Sequence, residues 1–200
     1  NNLSSALDTI AKENAMAKAT LKGGTISFDE SDFARATNLS KINSITVTKL
    51  PPISDGELRV GSSVLTSPQT LSASSIRLLS YEPKSSIATS EFYFTVNGGS
   101  TELCCKLYVL DEKNYAPTLS NASQNALQVS TFENVSLYGT LPCYDPDGDK
   151  TYIEVVSYPK KGQLIIDDKE TGAYRFIPNE DFTGKDSFVY IARDLYGNYS

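Results

Sequence analysis

The chain is written twice over. "ITVTKLPPISDGEL", "LLSYEP" and "SEFYFTV" follow one another between residues 45 and 96, and "IEVVSYPKKGQL", "AYRFIP" and "DSFVYIA" follow in the same order between residues 153 and 192. The shared skeleton is a strand, a proline, a Gly-x-Leu, an aromatic-x-Pro, and a final strand of alternating aromatics opened by a serine. A repeat on this scale limits the fold to two copies of one supersecondary plan. Each short run alternates apolar and polar residues and is bounded by Gly, Pro, Asn or Asp, which is the pattern of strands and turns at sandwich spacing. The copies meet near "LDEKNYAPTL", where Pro117 breaks the alternation as a stiff linker does.

Composition agrees with an all-β class. Twelve Tyr and eight Phe with no Trp and no His, among frequent Ser, Thr and Val, suit half-buried pleated surfaces better than helices. The absence of histidine rules out Cys–His and Ser–His–Asp arrangements. Residues 1–115 carry 12 acids and 11 bases, and residues 116–200 carry 12 acids and 7 bases. No Lys/Arg run exists to neutralise phosphates, so nucleic acid is excluded as a partner. No apolar run approaches the ~20 residues that cross a bilayer. The start, "NNLSSALDTIAKENAMAKATLKGG", has neither the basic nor the apolar region of a signal peptide.

Residues 3–22 read as a helix, with Leu3, Leu7 and Ile10 on one stripe, Ser5 and Asp8 at its cap and Gly23-Gly24 as its stop. The expected organisation is this helix (1–23), packed on a first β-sandwich module (24–115), then a second module (116–200). The first copy ends in a strand, "TELCCKLYVL", that has no counterpart after "DSFVYIARDLYGNYS". The second module is therefore expected to lack its last strand, with further repeats beyond Ser200. In "TELCCKLYVL" alternation puts Leu103, Cys105, Leu107 and Val109 on one face, so Cys105 is expected in a core. Three cysteines, Cys104, Cys105 and Cys143, cannot close a disulfide set.

The second module resembles the cadherin-like, immunoglobulin-like tandem repeats of bacterial surface and secreted proteins. "YAPTL", "DPDGDKTYIEVVSYPKKGQL" and "GAYRFIPNEDFTGKDSFVYIARDLYGN" carry the likeness, and "LSKINSITVTKLPPISDGELRVGSSVL" carries a looser one in the first. The resemblance implies tandem Ig-like sandwiches, an extracellular setting, and a non-enzymatic role as a stalk, spacer or adhesion module. The partner would be a cell-surface protein or a glycan. A different reading is an accessory module for a carbohydrate or protein ligand, with tyrosines stacking on sugar rings.

One stretch invites chemistry. "CYDPDGDK" holds Asp145, Asp147 and Asp149, but counting from Asp145 places Gly148 at position 4 and Val156 at position 12, which excludes an EF-hand. The resemblance implies a calcium loop at these three aspartates. Calcium takes ~6–8 oxygens, so Glu133, Asp194, carbonyls or water would complete the shell. A second implied calcium position lies between the modules, at Asp111 and Asn114. The competing reading is a bend shaped by Pro146, Gly148 and aspartates that bond nearby N–H groups. "IIDDKETG" has the composition of a hairpin turn and no more.

Overall fold

The computed structural model describes residues 16–119 and 127–200, which divide into two units, the first ending at Lys113 and the second beginning at Asn114. The first unit contains the strands Met16–Leu21 (β1), Ile26–Ser27 (β2), Ser44–Lys49 (β3), Gly56–Val60 (β4), Ser63–Val64 (β5), Gln69–Ser72 (β6), Leu79–Pro83 (β7), Thr89–Val96 (β8) and Leu103–Leu110 (β9). They form two sheets, ordered β1-β9-β8-β3-β6 and β2-β7-β4-β5. The second unit contains Leu137–Thr140 (β10), Thr151–Ser157 (β11), Gly162–Asp168 (β12), Ala173–Pro178 (β13) and Val189–Asp194 (β14), in sheets ordered β10-β13-β12 and β11-β14. The all-β class read from the sequence is the class observed.

The internal repeat is a repeat of register. In the first unit Gly56 lies opposite Pro83 and Leu58 opposite Tyr81. In the second, Gly162 lies opposite Pro178 and Leu164 opposite Phe176. The glycines are required by close approach: a Cβ on Gly56 would fall 2.6 Å from the Tyr81 hydroxyl, and one on Gly162 would fall 2.4 Å from the Phe176 ring. The Gly-x-Leu and aromatic-x-Pro of the sequence are thus one cross-strand contact, made twice. The match extends further, since Ile45 pairs with Val96 and Ile153 with Ala192, and both ladders shift register two residues later, after Val47 and Val155.

The two interiors differ. Phe28, Phe33, Phe92 and Phe94 anchor the first, with Phe33 edge-on to Phe94 at 5.0 Å and Phe28 edge-on to Phe92 at 5.6 Å. Leu103, Cys105 and Leu107 of β9 are fully buried beside them, as alternation requires. The second core is small, built on Leu141, Ile153, Leu164, Tyr174 and Ala192.

The helix expected over residues 3–22 is corrected where the structure describes it. Met16–Leu21 is a strand, paired in parallel with β9 from Met16 opposite Cys105 to Leu21 opposite Leu110. Its residues favour a helix intrinsically, but that preference amounts to only ~0.7 kcal/mol or less per residue. The open edge of β9 offers every second backbone group a partner, and Met16 enters the core at 5 % exposure. Gly23, at φ +83°, turns the end of a strand rather than of a helix. The remainder of that expected helix, with Leu3, Leu7 and Ile10, lies outside the described residues.

A helix does form at Glu30–Thr37 (α1). Asp29 caps it, accepting from the N–H groups of Ser31 at 2.7 Å and Asp32 at 3.3 Å, while Asp32 accepts from the Asp29 N–H at 2.9 Å. This capping box uses Asp at both positions, and the helix buries Phe33 and Thr37. Part of "SIRLLSYEP", read as strand throughout, is instead the single turn Ala73–Ile76 (α2), which buries Ile76.

In the first unit β8 is flanked by both β3 and β9. In the second, β14 has β11 on one side, and on the other the chain returns to pair Tyr199 with Arg193 and to place the Ser200 N–H on the Ala192 carbonyl at 2.9 Å.

Candidate metal centre

The acidic stretch leaves the ladder at Tyr144, which exchanges two backbone hydrogen bonds with Thr118, each 2.7 Å. The next residue turns inward. Asp145 is 7 % exposed, and its Oδ1 accepts the N–H groups of Asp147 at 2.9 Å and Asp149 at 3.1 Å. Gly148 sits at φ +79°, in the left-handed region that suits glycine. The bend expected from Pro146, Gly148 and the aspartates is therefore present. It also brings oxygens together: Asp145, Asp147 and Asp149 each have a carboxylate oxygen within 4.8 Å of the others.

Beside this group of three, two residues from distant segments pair with each other. Asp194, fully buried at the end of β14, accepts from the N–H groups of Tyr196 and Asn198 through Oδ1, both at 2.9 Å. Its Oδ2 accepts from the Asn114 side-chain amide at 2.6 Å. Beside Asn114, the Tyr115 N–H donates to Asp147 Oδ2 at 2.6 Å. The segment before Pro117 is thus tied to the acidic bend and to the end of β14.

Electrostatics point the same way. Burial pushes the Asp149 carboxyl up, and the charges of Asp145, Asp194 and Asp147 push it further. Burial raises the Asp194 carboxyl too, and the Asp145 charge adds to it against the hydrogen bonds from Asn114, Asn198 and Tyr196. Meanwhile Asp145 Oδ2 and Asn114 Oδ1 are buried without a hydrogen-bond partner. A buried oxygen left unpaired costs ~1–3 kcal/mol, more for a charged group. Three converging carboxylates, with the Asp194 charge near enough to act on Asp149 and an unpaired buried oxygen on Asp145, fit a hard divalent cation of the calcium type. They do not fit a thiolate or imidazole metal.

The remaining sequence candidates fall elsewhere. Glu133 is exposed and stands outside the group of converging aspartates. Asp111 is exposed and belongs to the first unit, whereas Asn114 belongs to the second. In "IIDDKETG", Asp168 Oδ1 accepts the N–H groups of Glu170 and Thr171 at 2.8 and 3.2 Å, Asp167 meets Arg175 at 3.3 Å, and Glu170 meets Lys150 at 2.6 Å. Each of those acids has its own partner, as a turn requires. Cys105 is fully buried and its thiol is pushed well up by desolvation; burial raises Cys104 as well. Neither has the thiolate character of a nucleophile. Reading the sequence alone did not find Tyr115, because a backbone donor has no residue signature. The Asn114–Asp194 pair was named as two separate candidates.

The ordered series from Asn114 through the acidic bend to "RDLYGN" spans the whole second unit. Residues 114–200 match the family described as Bacterial Ig domain. The bacterial Ig-like resemblance is thereby supported over the second unit, in keeping with its two small facing sheets. No curated protein matches the chain. Among solved structures, the chain is similar to "Endo-fucoidan hydrolase MfFcnA9 from glycoside hydrolase family 107", at 17 % identity and a TM-score of 0.33, covering 92 % of this chain and 32 % of that one. It is also similar to "Endo-fucoidan hydrolase MfFcnA4 from glycoside hydrolase family 107", at 19 % identity and a TM-score of 0.31, covering 82 % and 23 %. The chain spans less than a third of the length of either, and at that level of likeness neither fold nor activity is taken from them.

Proposed function

We propose that the chain is a structural and adhesive piece of a larger bacterial cell-surface or secreted protein, in which a calcium ion stabilises the second Ig-like module. The observation that carries this reading is the buried Asp145, whose Oδ2 has no partner inside a group of carboxylates, in a module that matches bacterial Ig domains. Repeated modules that each bury their own core serve well as spacers, because load passes from one to the next without a shared interior. Asp145, Asp147 and Asp149 would hold the ion, with the Asn114–Asp194 pair beside them, and the ion would supply the positive charge that this interior needs.

Catalysis is not part of the proposal. One cleft in the first unit, of about 180 Å³, is lined by Leu50, Pro51, Ile53, Leu58, Val64 and Leu65, with Glu57 its one carboxylate, so this cleft holds no acid–base pair.

The test is thermal unfolding of the 200-residue chain with calcium and with chelator, alongside binding to a glycan array and to envelope preparations. A ligand that binds only the folded state must raise the midpoint, so an increase at millimolar calcium is expected. An unchanged midpoint would remove the ion from this reading, and turnover of a polysaccharide would replace the structural role.

A further inference from the structure

A dipeptide in the first unit carries chemistry of its own. Asn97-Gly98 is the chain's one Asn-Gly, the pair in which the following backbone nitrogen, with no side chain to shield it, reaches the asparagine side-chain carbonyl most readily. Attack by the Gly98 nitrogen on Asn97 Cγ closes a five-membered succinimide, and the proton of the attacking N–H leaves with the amide as ammonia. Water then opens the ring at either carbonyl, giving aspartate or isoaspartate.

The fold holds this pair in a form closed to that reaction. Asn97 and Gly98 lie at φ +50° and +72°, and the Gly99 N–H donates to the Val96 carbonyl at 2.8 Å, so they are the central residues of a type I′ turn at the end of β8. Ring closure needs the Gly98 nitrogen on the same side of the Asn97 Cα–C bond as Cβ, and a type I′ turn places it nearly opposite. The side chain is fixed as well. Its Oδ1 accepts the Asn43 and Ser44 N–H groups at 2.7 and 3.3 Å, and its Nδ2 donates to the Lys41 carbonyl at 3.1 Å. The Asn97 N–H donates to the Ser44 carbonyl at 2.9 Å, so every one of these side-chain and main-chain bonds runs to residues 41–44.

We propose that Asn97-Gly98 is a deamidation site latched by residues 41–44, converted only from a locally opened form, so that conversion marks the opening irreversibly. The two N–H groups on Oδ1 would polarise Cγ toward attack, but rotation of the backbone to the reactive geometry breaks the Gly99–Val96 bond and withdraws the amide from them. The products latch less well. Aspartate keeps an acceptor for Asn43 and Ser44 but sets a carboxylate oxygen, in place of a donor, against the Lys41 carbonyl. Isoaspartate adds a methylene to the main chain inside the turn.

The test is the deamidation rate at Asn97 in the full chain, folded and in denaturant at the same mildly alkaline pH, read by peptide mass spectrometry beside hydrogen exchange at Asn43 and Ser44. Conversion in the folded chain should be slower by ~10-fold or more, the factor set by an opening free energy of about 1.4 kcal/mol. Ile42, 1 % exposed, anchors the latching segment, so Ile42→Ala should raise exchange and deamidation together and by the same factor. Urea below the unfolding midpoint should do the same to the unaltered chain, and it decides the question if I42A does not fold. Equal rates in the folded chain and in denaturant would overturn the latch. Absence of conversion at Asn97 in denaturant would overturn the site itself. Exchange that rises in I42A or in urea while deamidation stays constant would overturn the assignment of the latch to residues 41–44.

Discussion

The two units share a register and differ in what they bury. Both place Gly-x-Leu against aromatic-x-Pro and shift their ladders at the same point. Yet among the described residues the first core gathers nineteen buried apolar side chains and the second five. The second also buries two carboxylates, Asp145 and Asp194. One strand plan thus supports two kinds of interior. The first draws its stability from apolar area, at ~25 cal/mol per Å² removed from water. The second places charge where apolar area would be, and a buried carboxylate carries a desolvation cost that apolar area does not.

The carboxylates of the acidic bend contrast in the same way with those of the first unit. In the first, Asp29 is held below the ordinary range by the Ser31 hydroxyl, Glu91 by Lys106 and Tyr93, and Glu102 by Lys49 and Thr48. In the second, the Thr171 and Glu170 N–H groups lower Asp168 likewise, but at the acidic bend Asp149 and Asp194 are pushed up, with burial the largest cause and neighbouring carboxylates adding to it. Partnered acids stabilise a fold at neutral pH, and crowded ones oppose it.

The largest test of this contrast is Phe94→Ala. Phe94 is fully buried and packs edge-on against Phe33, so its truncation should cost the first unit about 3–5 kcal/mol. Hydrogen exchange read by mass spectrometry reports each unit separately. Protection should collapse in peptides from β3, β8 and β9 and persist in those from β11–β14. Loss in both units together would show that their stabilities are joined and would break the comparison.

Calcium should do the reverse. At a hundredfold excess over its dissociation constant it should stabilise the second unit by about 2.7 kcal/mol, with exchange slowed around Asp145–Asp149 and Tyr196–Asn198 and unchanged in α1. Equal slowing in both units would locate the effect elsewhere than in the acidic bend.

A smaller effect is expected at the cap of α1. Asp29→Ala should cost the first unit about 1 kcal/mol at neutral pH. The Asp29 carboxyl is lowered from 3.8, so its ionised form contributes stability above that value, and the contribution is lost as pH falls through the still lower folded value. Denaturant midpoints of the parent and D29A should therefore converge in strong acid. A gap that stays constant with pH would mean that the cap does not depend on charge.

The smallest effect is the most specific. Asp149→Asn removes one crowded charge and breaks no hydrogen bond that Asp149 accepts, so in chelator the second unit should become slightly more stable at neutral pH. Because the Asp149 carboxyl is raised from 3.8, that advantage should shrink as pH falls through its folded value and vanish below 3.8, where the group is neutral folded and unfolded alike. In calcium the sign should invert, since a ligand has been lost. A variant less stable in both conditions would show that Asp149 shapes the bend rather than crowding it.

Much of this was legible in the residues. Period-2 alternation put Leu103, Cys105 and Leu107 on one face, and Pro146 and Gly148 announced the bend, because both signals depend on neighbours a few positions apart. The helix at Glu30–Thr37 was missed because its capping box uses Asp at both ends of "DESD", inside a stretch dominated by strand patterns. Met16–Leu21 was misread for the opposite reason, since its helix-forming residues were judged without β9.

By itself, then, the sequence determined the strand plan, its repetition and the acidic bend, all set by steric and turn chemistry within a few residues. Tertiary structure alone decided that Met16–Leu21 becomes a strand and that Asn114 meets Asp194. Such pairings depend on which backbone edge or buried oxygen is left open by segments far along the chain, and no local pattern encodes that choice.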